Sequence, residues 1–288
     1  MTELFDSAWL KIAWAVKHGD ALNEDLIAFW EQTEADGLYT TTSHYDAKGH
    51  CVVFTVESIT PTPPIWGLQL GDVIHNIRGA LDHLAWALVK RGDRPNLTKD
   101  EATKVYFPLA SSPSHFQKLR PTYLPGVKFA DWTLVRKYQP YFQGKRRYGI
   151  HAFSLLADLS NDDKHRAVKP ILVLPVGGVH EIGQPTDCFI TRLTMKTPRE
   201  ALKIGTELQR VYVKKTGPNP QLQMKTQLRA LPALSESTLV EDWLHNALSF
   251  TVRLLREFSE PPDDVFKLAP GLPPLPWPEK PPPPARGR

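Results

Sequence analysis

The sequence predicts an α+β protein, a helical bundle with a β-hairpin and an antiparallel sheet packed beside it. Three observations predict this. Apolar residues recur at helical spacing over 3–35, 66–91, 148–168 and 236–258. The stretch 39–59 is rich in Thr, Val and Phe and is divided by a DAKG turn, the pattern of a hairpin. Strand-like runs then fill about 170–231.

In the first stretch Leu4, Trp9, Ile12, Val16, Leu22, Leu26, Phe29 and Trp30 define an apolar face. Gly19-Asp20 interrupts it, so the reading is one long broken helix or two stacked ones. The hairpin ends at Pro61-Thr62-Pro63-Pro64, and proline is tolerated just ahead of a helix start. On the wheel of the next helix, at about 100° per residue, Trp66, Leu70, Ile77, Leu81, Leu84 and Leu88 share the core sector. RGDRPN then breaks the chain, and Thr98 to Lys104 reads as a short polar helix.

Tyr106 to Gln143 is irregular and holds many prolines and aromatics. It is too apolar for a linker and is read as ordered loop and short helices over the core. Lys145-Arg146-Arg147 reads as a solvated turn. After the 148–168 helix, ILVLPVGG, CFITRLTM, ELQRVYVKK and QLQMKTQLRAL suggest about four strands, with Gly177-Gly178 as a hairpin turn. Ser235 or Ser237 would cap the last helix, with Glu241 in its first turn.

These assignments give one domain over 1–258: a helical core (1–168), a sheet (170–231) and a C-terminal helix (236–258). The Pro-rich tail, 259–288, is expected to be extended and disordered, and Pro270 to Pro284 could serve a proline-reading domain. The chain has 288 residues, 41% of them apolar, enough for a sizeable core. The net charge is only +4 and the basic residues are dispersed, so composition alone does not argue for nucleic acid. Cys51 and Cys188 are the two cysteines and match no metal spacing. With no signal peptide and no apolar run long enough to span a bilayer, a cytoplasmic location is expected.

Chemistry concentrates in two places. On the polar side of the 66–91 helix lie Asp72, His75, Asn76, Arg78, Gly79, Asp82, His83 and Trp86. His75, Arg78 and Asp82 form a compact group around Gly79. The absent side chain at Gly79 would let a helix or ligand approach. Trp86 on the same side suggests that this face is covered. The second place is Asn161-Asp162-Asp163-Lys164-His165-Arg166, where Asn161, Asp163, Lys164, His165 and Arg166 are candidate binding residues. The two clusters are expected to meet. A plain structural reading stands beside each. Arg78 and Asp82, four apart, can form a local ion pair worth a few tenths of a kcal/mol. Asn161 or Asp162 can cap a new short helix.

At Arg78-Gly79-Ala80-Leu81-Asp82-His83 the sequence resembles the HEPN superfamily of helical domains, which carries an arginine and a histidine with four to six residues between them on one helix; here there are four. The resemblance implies a metal-independent RNA endonuclease or an RNA-binding relative. His83 would act as acid/base on the ribose 2′-hydroxyl, and Arg78 would stabilise the scissile phosphate. Histidine titrates near neutrality and arginine binds phosphate bidentately, so the chemistry suits those roles. The two residues lie about 140° apart on an ideal helix. The resemblance therefore implies a homodimer that joins two copies, with RNA as partner and no cofactor. The stretch HN-R-ALDHL followed by DKHR is also similar to a group of uncharacterised bacterial proteins, which brings no function.

Two other readings remain open. One is a helical metal-dependent hydrolase, with His75, Asp82 and His83 joined by His165 or Asp163, although no HExxH or CxxC pair is present. The other is a non-catalytic interaction or small-ligand-binding protein whose polar face is a packed network. No P-loop, GxGxxG or GxSxG occurs.

Overall fold

A computed structural model describes residues 3–36, 39–143, 151–165, 172–183, 185–195, 202–218, 222, 224–235 and 238–269. The first apolar stretch forms one helix, α1 (Glu3–Asp36), which runs unbroken through Gly19-Asp20. Its face carries Trp9, Ile12, Val16 and Leu22, all essentially inaccessible to solvent. A hairpin follows as β1 (Tyr39–Asp46) and β2 (Cys51–Ile59), paired antiparallel across a turn in which Asp46 accepts from the backbone of Lys48 and Gly49. Next comes α2 (Ile65–Lys90), begun by the bond from Trp66 N to Pro63 O. The core stripe read from its sequence is buried from Trp66 to Leu88, and Val73, Ile74, Ala85 and Val89 widen it.

The irregular stretch is ordered. Helix α3 (Lys99–Ala102) starts at a capping box in which Thr98 and Glu101 bond reciprocally. Helix α4 (Pro113–Tyr123) starts at Ser112, and α5 (Phe129–Lys137) leads into a 3-10 turn at Pro140–Gln143. Helix α6 (Ala152–His165) continues through Asn161 to His165, so these residues form its last turns and cap no new helix. The strands are β3 (Leu172–Ile182), β4 (Cys188–Met195), β5 (Glu207–Lys215), β6 (Met224–Ser235) and β7 (Thr238–Leu239). Helices α7 (Val240–Arg256) and α8 (Asp263–Leu268) complete the described chain.

The α+β class holds, but the strands sort differently from the sequence reading. The hairpin belongs to a four-stranded antiparallel sheet ordered β1-β2-β5-β4. A second sheet is ordered β3-β6-β7. Gly177-Gly178 is no hairpin turn. Both residues lie inside β3 at a register shift after Pro175, where a residue lacking an N–H and two lacking side chains suit a bulge. The last helix begins at Val240 because Ser235 is still in β6 and Thr238–Leu239 pair with that strand. Within the stretch 259–288 the chain is described up to Ala269, and α8 buries Val265. Pro270 to Pro284 and Lys145 to Arg147 lie outside the described residues.

Contacts divide the chain into two compact units. The first comprises residues 1–23, 67–169 and 241–288; the second comprises 24–66 and 170–240. In the first, Phe107 packs edge-on to Phe153, Phe116 stacks on Trp132, and Trp243 Nε1 donates to Ala152 O. Arg91 forms a bidentate pair with Asp131 while its guanidinium lies against the rings of Phe5 and Phe258. In the second unit, Val52, Phe54, Val211 and Val213 form one apolar cluster, and Tyr39, Val56, Leu202 and Leu208 form another. No helix among the described residues is long and apolar enough to cross a membrane.

Candidate functional site

The polar side of α2 is built by three elements of the first unit. Arg78 and Asp82, one turn apart, make two close contacts: Nε to Oδ2 at 3.1 Å and Nη2 to Oδ1 at 2.8 Å. Both then turn to the backbone of Phe107. Arg78 Nη2 donates to Phe107 O at 2.9 Å, and Phe107 N donates to Asp82 Oδ1 at 2.9 Å. The pair thus acts as a clamp that satisfies the N–H and the C=O of one residue, as a neighbouring strand would. Phe107 itself is fully buried. Leaving those two backbone groups unpaired would cost a few kcal/mol, so the clamp outweighs an exposed i,i+4 pair.

The neighbouring group centres on Lys11 of α1. Its Nζ donates to Asn76 Oδ1 at 3.3 Å, and Asn76 Nδ2 donates to Asp72 O at 2.8 Å. Its aliphatic stem runs over Gly79, where an added Cβ would meet Lys11 Cδ at 3.5 Å. The backbone approach foreseen at Gly79 is therefore made by a lysine stem. Asn76 is buried and His83 is half-buried. Burial lowers the His83 pKa below its ordinary value, the Lys11 charge lowers it further, and Asp82 partly opposes both.

The expected cover over this face is incomplete. His75 is exposed and Trp86 is 38% exposed, with Lys90 Nζ over its ring. Trp86 therefore does not shield the face. Of the group read as compact, Arg78 and Asp82 come together around Phe107, while His75 points to solvent. Arg166 lies outside the described residues, and only the backbone is described for Asn161, Asp163, Lys164 and His165. The expected meeting of the two clusters therefore lies outside the described residues. Among those residues, no group of three His, Cys, Asp or Glu is placed to hold a metal ion.

The residue that sequence reading missed is Lys11. A signal was present: Lys11 lies three after Ala8 and four before Ala15, both fully buried. A lysine flanked at helical spacing by small buried residues marks a place where a second helix comes close. No family model, curated protein or solved structure matches the chain.

Proposed function

We propose that this chain is a non-catalytic interaction or small-ligand-binding protein, in which the polar side of α2 is an internal network. One observation carries the reading. The Arg78 guanidinium is occupied by the Asp82 carboxylate and the Phe107 carbonyl. A phosphate could engage it only by displacing both partners, which would uncover the buried backbone of Phe107. The test is cleavage of single-stranded RNA by wild type, Arg78→Ala and His83→Ala, with and without EDTA. Wild-type protein that leaves RNA intact supports the reading. Cleavage abolished by either substitution overturns it in favour of a nuclease, and cleavage abolished by EDTA overturns it in favour of a metal-dependent hydrolase.

A second reading, the HEPN-like ribonuclease, is favoured by one feature: half-buried His83 lies within electrostatic reach of the Lys11 ammonium, and burial and that charge both lower its pKa. A neutral imidazole can take the proton of a 2′-hydroxyl, and an ammonium can offset charge on a phosphate. In this reading the cation is Lys11, RNA is the partner, and the active form is a cytoplasmic homodimer. Lys11→Ala would then abolish cleavage, while Arg78→Ala would act mainly through stability.

A further inference from the structure

A cleft of about 320 Å³ lies in the first unit between α1 and the start of α7. That is the lower end of the range in which small-molecule sites fall. Its polar lining includes Asp20, Asn23, Glu241, Asp242 and Ser249. Val16, Leu244 and Leu248 supply an apolar wall. Among the described residues lining it there are three carboxylates and one histidine, His245, with no lysine or arginine, in a chain whose net charge is +4.

Glu241 and Asp242 are in the first turn of α7, where carboxylates complement the helix dipole. The third carboxylate, Asp20, comes from α1. A separate observation points to a ligand. Ser249, which lines the same cleft, is 6% exposed, and its Oγ has no hydrogen-bond partner among the described residues. A helical serine ordinarily bonds back to the carbonyl four residues earlier, as Thr251 Oγ1 does to Ala247 O. A buried hydroxyl without a partner is costly, and a donor arriving from outside would remove that cost. Gly19 keeps α1 bare at this point, with Leu248 Cδ1 3.7 Å from where a Cβ would stand.

We propose that this cleft binds a small organic cation, a primary ammonium on an aliphatic stem. The carboxylates attract the charge, the ammonium has three donors to distribute, and the apolar wall takes the stem. A bare metal ion fits less well, because no three acidic or histidine groups among the described residues converge on one point. The proposal names a ligand class for the binding reading above, and on that reading it rests. Its failure is separable, because RNA cleavage tests the face of α2 and ligand titration tests this cleft.

The experiment is calorimetric titration of the full chain with 1,4-diaminobutane at low salt, with 1,4-butanediol and magnesium chloride as comparisons. Saturable binding of the diamine is expected, weakening as salt is raised. A Glu241→Gln/Asp242→Asn double variant should bind about tenfold more weakly, since two exposed charge contacts together reach about that factor. Ser249→Ala removes only an unbonded hydroxyl, so the fold is retained, and affinity should fall about threefold to tenfold. The proposal is overturned by no saturable binding, by diol binding as tightly as diamine, or by magnesium displacing the diamine. Affinity unchanged in both variants overturns it too.

Discussion

Asp82 accepts from Arg78 on one oxygen and from both Arg78 and the Phe107 backbone on the other. Removing the carboxylate would leave a half-buried guanidinium and a buried N–H without that partner. Asp82→Ala is therefore expected to lower unfolding free energy by about 2 kcal/mol, read as a shift of the urea midpoint at constant slope. A surface ion pair would give only a few tenths. A midpoint moved by no more than that would mean the clamp adds nothing. Glycines separate by the same kind of local reasoning. Gly19 is in the middle of α1, where an added Cβ meets Leu248 at ordinary contact distance. Gly19→Ala should stabilise by about 1 kcal/mol through helix propensity. Gly92 is the opposite case, because its Cβ would collide with the Gly126 carbonyl, which also accepts from Asp93 N. Gly92→Ala should destabilise by about 2 kcal/mol, and thermal unfolding of the two variants should shift in opposite directions.

At the scale of one element, α6 shows how a helix start can make stability depend on pH. His151 stands just before it, and its Nδ1 accepts from Phe153 N at 3.1 Å. The ring packs against Phe250 and Phe153. Burial holds its pKa down to about 4, against 6.5 for an exposed histidine. The folded form therefore takes up this proton less readily than the unfolded chain does. The contribution is complete above pH 6.5 and is lost as pH falls from there toward 4. Within that window the loss approaches about 1.4 kcal/mol per pH unit for this one group. His151→Asn keeps a side-chain acceptor at the helix start and removes the titration. Its unfolding free energy, measured at pH 4.5 and 7, about the two sides of the window, should change less than that of wild type. An equal change would remove His151 as the source.

For the whole molecule, chain connectivity matters as much as contacts. Neither compact unit is one continuous segment, because the chain passes between them after residues 23, 66, 169 and 240. Strand β2 has β1 beside it in sequence, but its other neighbour, β5, arrives about 150 residues later. The first unit likewise needs α7, which supplies Trp243 for the bond to Ala152. A fragment ending at residue 169 would lack β5 and α7 together. It would leave a lone hairpin, marginal in water, and an incomplete helical core. Such a fragment should show no cooperative unfolding by circular dichroism, where the full chain unfolds with a sigmoidal transition.

The elements were legible because each is written in local periodicity. The stripe from Trp66 to Leu88, the hairpin around Asp46 to Gly49 and the short polar helix after Thr98 all depend on residues a few positions apart. Sheet membership was not legible, since β2–β5 pairing is fixed by distant partners and a period of two says nothing about which strand lies alongside. Gly177-Gly178 shows the same limit: the dipeptide signals a departure from regular backbone, and only pairing with β6 decides between turn and bulge. For the site, sequence supplied the cast on α2 but not the roles. Arg78 and Asp82 were visible four residues apart, while Phe107 lies 25 residues beyond Asp82 and offers only its backbone, which no residue type announces. Lys11 lies 65 residues before the asparagine it donates to. Local spacing determined which side chains share a helix face. Which partners those side chains meet was decided by tertiary packing, because a hydrogen bond depends on distance in space and not on separation along the chain.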